Sequence, residues 1–151
     1  LFVRGRCYGI NMGRRESDSM HITLESDYAI RIILCLARRG RRTDAGTIAE
    51  ITGVSLRFAL KILRNLVGSG MVRSFKGIQG GYELNHDPAD ITLKDILEVV
   101  EGEYHLSRCL GGECCNRPDK DDAACKVQKV FGDISRTVQE KLDAVTIAQL
   151  L

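Results

Sequence analysis

Apolar residues recur at helical spacing in the first and last patterned segments of the chain, but the two apolar faces differ in width. The first segment follows Ser26 and Asp27, either of which suits a helix N-cap, and stops at Gly40, which suits a helix C-terminus. Its apolar residues predict a helix packed in the core. In residues 124–151 the apolar residues form one narrow stripe: Val127, Phe131, Ile134, Val138, Leu142 and Val145. This stripe predicts one helix as far as Leu150 that packs against a second copy of the chain.

Two shorter helices, joined by a tight turn, are predicted in the middle of the chain. Thr43 or Asp44 caps the first helix and Gly53 ends it, and Ser55 then caps the second. The residues of the second helix that we expect to point inward are Leu56, Ala59, Leu60, Leu63 and Leu66. This pattern is typical of a helix-turn-helix, in which the second helix enters the major groove of DNA. The outward residues that we expect at the DNA are Ser55, Arg57, Phe58, Lys61 and Arg64. The alternative is a plain helical hairpin with a solvated basic face.

Two short alternating runs, residues 71–75 and 82–84, flank a glycine-rich connection and predict a β-hairpin. A hairpin directly after a recognition helix is a wing, which contacts the DNA backbone or the minor groove. The wing residues that we expect at the DNA are Arg73, Lys76 and Gln79. A loop that binds nucleotide phosphates is disfavoured, because no helix follows the glycines and no Gly-Lys-Ser/Thr sequence is present.

A fourth helix, capped by Asp90 or Thr92, is predicted to end at Gly102. We therefore expect a mainly α fold with a small β-hairpin wing. Its parts would be a winged helix-turn-helix domain (20–102), a cysteine-rich sensor loop (103–123) and a long C-terminal dimerisation helix (124–151). Residues 1–19 are rich in Gly and Arg and lack the apolar centre of a secretion signal. We expect them to be a disordered or non-native extension.

The charge of the chain is concentrated in one segment. The 151 residues are 44% hydrophobic, enough for one core, and contain no apolar run near the ~20 residues that span a bilayer. The formal charge is only +2, yet residues 51–82 contain no Asp or Glu. The same segment has five basic residues: Arg57, Lys61, Arg64, Arg73 and Lys76. Because each Lys or Arg placed at a phosphate releases condensed counterions, this segment suggests a polyanion as the partner, although a solvated basic face is the alternative. With the helix-turn-helix pattern we expect double-stranded DNA, and without a long apolar run we expect no membrane partner.

Four of the six cysteines crowd into seventeen residues: Cys109, Cys114, Cys115 and Cys125. Cys35 lies within the first predicted helix and is expected in the core. Without a secretion signal we expect a cytoplasmic protein, in which clustered thiols more often bind metal or sense redox state than form disulfides. Thiolates bind zinc and iron–sulfur clusters, but the paired C-x2-C of structural zinc sites is absent. Three thiolates need a fourth ligand, for which His105, Asp27 of the partner subunit and solvent are candidates.

Three alternatives to an iron–sulfur cluster stay open for these cysteines. They could be reduced thiols without a ligand, or a zinc or thiol-redox site in a DNA-binding regulator. They could also belong to a redox enzyme that uses the vicinal Cys114 and Cys115. The enzyme is disfavoured, because adjacent cysteines form strained bridges and no base or cofactor motif accompanies them.

Three motifs give the chain a family resemblance. They are S-x-x-F at residues 55–58, L-x-x-x-G-x-V-x-S-x-x-G-x-x-G-G-Y from Leu66 to Tyr82, and I-T-L-x-D-I at residues 91–96. With these motifs, the chain resembles the Rrf family of bacterial winged-helix regulators from Met20 to about Val145. That family includes regulators of iron–sulfur biogenesis and sensors of nitric oxide.

The resemblance implies a homodimer that binds a palindromic operator as a repressor or activator, and we expect a repressor. It also implies an iron–sulfur cluster, [2Fe-2S] or [4Fe-4S], that modulates operator binding and senses redox state or nitric oxide. The family pattern C-x5-C followed by a third Cys falls on Cys109, Cys115 and Cys125. The second interval is longer than is usual in the family, and Cys114 is a competing ligand. Asp27 occupies the position from which some nitric-oxide-sensing members supply a carboxylate ligand across the dimer, and other members have no cluster and respond to small molecules or partner enzymes.

Overall fold

The structure, a computed structural model, describes residues 22–107, 110 and 125–151. Its helices and strands are, in chain order, α1 (Leu24–Arg39), α2 (Ala45–Thr52), α3 (Leu56–Gly68), β1 (Val72–Phe75), β2 (Gly81–Leu84), α4 (Leu93–Glu101) and α5 (Lys126–Asp143). Two short 3-10 turns, Pro88–Asp90 and Ile147–Leu150, precede α4 and follow α5. This order confirms the predicted fold class of helices with one small hairpin.

Local capping residues set most helix starts where the sequence predicts them. Asp44, Ser55 and Thr92 each accept a hydrogen bond from the backbone N–H three residues further on. The pKa of the Asp44 carboxyl is lowered, because the hydroxyl and backbone N–H of Thr47 donate to it. Accepting hydrogen bonds from these otherwise unpaired N–H groups stabilises the start of each helix.

The start of α1 differs from the prediction. The N-cap is Thr23 rather than Ser26 or Asp27, and its hydroxyl accepts a hydrogen bond from the backbone N–H of Ser26 at 3.2 Å. Ser26 is fully buried, and the carboxylate of Asp27 pairs instead with Arg31 at 2.7 Å. The helix is therefore one turn closer to the N-terminus than the capping chemistry of Ser26 and Asp27 indicated.

The last helix ends earlier than predicted. α5 stops at Asp143 rather than at Leu150, and the chain then turns back towards α4. The Ile147 N–H donates to the carbonyl of Ile91 at 2.9 Å, and the Leu93 N–H donates to the carbonyl of Val145 at 3.0 Å. Ile147 is fully buried. Burying one such aliphatic side chain is worth about 1.5–3 kcal/mol, which favours this turn over further turns of an exposed helix.

One apolar core contains side chains from all of the helices α1 through α4, and Ile147, which follows α5, is part of it. Its largest fully buried aliphatic side chains are Ile32, Ile33, Leu36, Ile48, Ile62, Leu63, Leu66, Val72, Ile96 and Ile147. Cys35 lies at the edge of this core with 6% of its surface exposed, as predicted, and burial raises the pKa of its thiol despite the nearby charge of Arg39. Among the described helices, none is long and apolar enough to cross a membrane.

Candidate nucleic-acid interface

α2 and α3 form the predicted helix-turn-helix. Gly53 ends α2 in the left-handed conformation, with φ of 69°, which glycine adopts without steric cost. Val54 is only 3% exposed and anchors the turn in the core. The hydroxyl of Ser55 then accepts a hydrogen bond from the Phe58 N–H at 3.4 Å, and α3 begins. The turn therefore holds α3 at a fixed angle to α2.

The predicted DNA-contacting residues of α3 are all exposed: Ser55, Arg57, Phe58, Lys61 and Arg64. The prediction of the inward face is partly wrong. Ala59, Leu63 and Leu66 are buried, but Leu56 and Leu60 are 49% and 41% exposed. Ile62, which was not among the predicted inward residues, takes their place in the core with no exposed surface. α3 packs against α1, α2, α4 and β1. These contacts together decide which side of α3 is buried, and Ile62 lies on that side.

The charged groups of α3 differ in their surroundings. Among the described residues, Arg57 and Arg64 have no acidic partner within ion-pairing distance. Lys61 Nζ lies 2.7 Å from Glu25 Oε2 on α1 and 5.9 Å from the centre of the Phe58 ring. Arg57 and Arg64 are thus available to a polyanion, whereas Lys61 is already held by a carboxylate.

The hairpin is attached to the rest of the domain on one side. β1 and β2 pair antiparallel, with Val72 opposite Leu84 and Phe75 opposite Gly81. Thr43, just before α2, exchanges two backbone hydrogen bonds with Tyr82, at 2.9 and 2.8 Å. A side chain at Gly81 would place its Cβ 2.7 Å from the Thr43 carbonyl oxygen, so only glycine permits this approach. The wing is therefore fixed to the start of the helix-turn-helix.

Arg42 supports the wing from outside it. Its guanidinium lies 3.4 Å from the centre of the Phe75 ring, and Nη1 donates to the carbonyl of Gln79 at 3.3 Å. Nε also lies 3.8 Å from a carboxylate oxygen of Glu83. Arg42 was not among the predicted functional residues, although it belongs to a run of arginines between the first two helices.

The exposed residues of the wing include all three that the sequence predicts at the DNA, Arg73, Lys76 and Gln79. Ile78 at the tip has its whole side chain in solvent. Gly80 is required at its position, because a Cβ there would lie 2.6 Å from the Phe75 carbonyl oxygen. The wing is thus a narrow, braced projection beside α3, a shape that suits contact with a DNA groove or backbone.

The predicted metal ligands Cys109, Cys114 and Cys115 lie outside the described residues, as does the predicted extension 1–19. Cys125 is half-buried and directly precedes α5. The alternate ligand His105 lies 3.6 Å from Glu103, and Asp27 is paired with Arg31. Within the described ranges, no three His, Cys, Asp or Glu side chains lie close enough together to hold a metal ion.

The start of the cysteine-rich segment is attached to α5 by two hydrogen bonds. The Leu106 N–H donates to the hydroxyl of Ser135 at 3.0 Å, and Gln139 Nε2 donates to the carbonyl of Tyr104 at 2.9 Å. These bonds hold residues 104–106 along one side of α5. A different side of α5 carries Val127, Val130 and Ile134, whose side chains are 52%, 56% and 43% exposed. This apolar surface has no partner in a single copy of the described chain.

Comparison with known proteins identifies the family. The family model Rrf2, described as an iron-dependent transcriptional regulator, matches residues 22–151. The chain belongs to the Rrf2 family. Its members regulate transcription by binding DNA, so the protein is a DNA-binding transcriptional regulator and not an enzyme. The redox enzyme considered for Cys114 and Cys115 is thereby set aside.

Several Rrf2-family relatives are similar over most of their length. The protein rrf2 of Nitratidesulfovibrio vulgaris is 29% identical over 135 residues, which cover 87% of this chain and 87% of that protein. The HTH-type transcriptional regulator IscR of Serratia proteamaculans is 27% identical over 134 residues, which cover 87% of this chain and 79% of IscR.

Solved Rrf2-family structures agree with the fold. T. potens IscR superposes with a TM-score of 0.69 at 25% identity, covering 87% of this chain and 86% of IscR. CymR, the global cysteine regulator of B. subtilis, has the same TM-score of 0.69 and 25% identity, covering 87% of this chain and 96% of CymR. The chain is thus equally similar to both.

Proposed function

We propose that this Rrf2-family regulator is a homodimeric repressor whose binding to a palindromic operator is modulated by an iron–sulfur cluster on Cys109, Cys115 and Cys125. The observation that carries the DNA-binding part is the exposed, acid-free face of α3 beside the braced wing. In this proposal Ser55, Arg57, Phe58, Lys61 and Arg64 approach the major groove, and Arg73, Lys76 and Gln79 approach the backbone or minor groove.

The exposed apolar side of α5 is the observation that supports the proposed dimer. Val127, Val130 and Ile134 follow the spacing of three and four residues that a helix uses to pack along a second helix. A twofold dimer built on this surface would present two recognition helices to two half-sites, which a palindromic operator provides.

Replacing Val130 by aspartate is expected to weaken the dimer at least tenfold, because an unpaired carboxylate would be buried in the interface. Analytical ultracentrifugation over a concentration series measures this change. Lys129→Ala is the control, because it alters the net charge by the same amount at the adjacent, exposed position. It should leave the dimer intact. Equal dimer stability in both variants would exclude this side of α5 as the interface.

The chemistry of the donors supports the cluster. Cysteine thiolates are the usual ligands of iron–sulfur clusters, and the family model is described as iron-dependent. Cys125 is the N-cap residue of α5, so one of the three proposed ligands lies at the start of a described helix. When bound, such a cluster supplies sensitivity to oxidants and nitric oxide. The chain itself holds the start of the segment to α5 through Tyr104 and Leu106.

Protein purified without oxygen is expected to absorb visible light and to contain iron and sulfide. Cys115→Ser should lose both, because one of the three thiolates is missing, whereas Cys35→Ala removes a cysteine from the core and should retain them. Elemental analysis and absorption spectra provide the measurement. Colourless wild-type protein without iron would reject the cluster while leaving DNA binding unaffected.

The second candidate is a DNA-binding regulator that has no cluster and whose cysteine segment binds zinc or responds to thiol oxidation. The chain is as similar to CymR, a cysteine regulator, as it is to IscR, so the structural likeness favours neither candidate. The same elemental analysis separates the two candidates. One zinc per chain without sulfide would indicate this second function.

A further inference from the structure

The carboxylate of Glu101 connects the end of α4 to the first turn of α1. Its Oε1 accepts hydrogen bonds from the Thr23 N–H at 3.2 Å, from the Thr23 hydroxyl at 2.8 Å, and from the hydroxyl of Ser26. Because Ser26 is fully buried, this carboxylate satisfies a hydroxyl that would otherwise be unpaired. Glu101 is the last residue of α4, directly before Gly102 and the cysteine-rich segment. The segment therefore begins two residues after the residue that fixes the start of α1.

The same turn of α1 also contacts the recognition helix. Glu25 Oε2 lies 2.7 Å from Lys61 Nζ on α3, and the two side chains are 24% and 58% exposed. Three residues further along α1, Tyr28 packs edge-on against Phe58, with ring centres 6.1 Å apart. Two residues of the exposed face of α3 are thus held by the N-terminal part of α1.

We propose that Glu101 and Glu25 are positioning residues for DNA recognition: Glu101 fixes the first turn of α1, and Glu25 in that turn places the Lys61 ammonium at the DNA. The inference rests on the proposed contact between α3 and DNA. An ion pair at the surface contributes little to stability, so the contribution of Glu25 is to the position and charge of Lys61 rather than to folding.

Glu25 is tested on its own, because its replacement leaves the core intact. Glu25→Gln removes the charge that holds Lys61, so non-operator DNA should bind several-fold more tightly, with a salt slope steeper by up to about one counterion. Operator DNA, selected from a random-sequence library, should not gain equally, because Lys61 is no longer held at its contact. The ratio of operator to non-operator affinity should fall at least threefold. An unchanged ratio and slope would overturn the role of Glu25.

Glu101 is tested through its effect on Lys61. Lys61→Ala should weaken operator binding, and this effect should be at least threefold smaller when Glu101 is also alanine, because coupled residues are not additive. Glu101→Gln retains an oxygen acceptor and should restore most of the wild-type coupling. Glu98→Ala removes the same charge three residues earlier in α4, where Glu98 faces Lys94 instead of α1, and should remain additive. Thermal melts identify any variant that is less folded.

The outcomes separate this inference from the proposed interface. If Lys61→Ala and Arg57→Ala both leave operator affinity and its salt dependence unchanged, α3 does not contact DNA in the proposed way, and the interface itself is wrong. If Lys61→Ala weakens binding while the Glu101 and Lys61 substitutions are additive, the interface stands and the positioning role of Glu101 is overturned.

Discussion

Replacing Arg57 and Arg64 together by alanine is expected to weaken operator binding on the order of 100-fold, because each lost arginine contact costs about 1–3 kcal/mol. Both side chains are exposed on α3, and neither has an acidic partner among the described residues, so their charge is available to DNA. They are seven residues apart, about 10 Å along a helix, and their effects should therefore add.

Fluorescence anisotropy over a salt series measures both affinity and the number of counterions released. A residue that contacts phosphate should lower the salt slope by about one, whereas a residue that reads a base should relax sequence preference. The double variant Arg136→Ala and Lys141→Ala removes the same charge from exposed positions of α5 and should change binding far less. Equal losses in the two double variants would mean that only net charge matters.

Ile62→Ala is expected to lower the free energy of unfolding by about 2–5 kcal/mol, because it leaves a cavity among α1, α3 and their neighbours. Ile62 has no exposed surface, whereas Leu60, two residues earlier, is 41% exposed. Leu60→Ala should therefore cost less than about 1 kcal/mol.

Urea unfolding at one protein concentration compares these two variants, since dimerisation would make stability depend on concentration. The pair is informative because the sequence pattern predicted Leu60 inside and did not include Ile62. If Leu60→Ala were the more destabilising change, the orientation of α3 in the structure would be wrong.

The helix-turn-helix and wing were predictable because their determinants are close together in the chain. Gly53 supplies the left-handed turn, and glycines shape the hairpin. Ser55 caps α3 by accepting a hydrogen bond from the N–H of Phe58, only three residues away. Each of these is a contact between near neighbours, and residue type alone reports it. The exposure of Arg57 and Arg64 followed for the same reason, because charged side chains on a solvent-facing helix seldom become buried.

The features that were missed depend on distant partners. Lys61 and Glu25 are 36 residues apart, and Ser26 and Glu101 are 75 apart. Arg42 supports a hairpin whose tip lies 37 residues further on. A carboxylate or guanidinium in sequence is typical of a solvated surface, and only the packing of helices shows which of them meet.

By itself, the sequence determined the order of the helices, the turn between α2 and α3, the glycine-rich wing and the basic, acid-free character of the segment that contains them. These follow from helical periodicity and local hydrogen bonding. Only the tertiary structure decided that Ile62 rather than Leu60 enters the core, that α5 ends at Asp143, and that Glu101 and Glu25 connect α4 to the recognition helix. The physical reason is that burial and ion pairing depend on which surfaces face each other in space, and neither hydrophobic spacing nor charge along the chain specifies that.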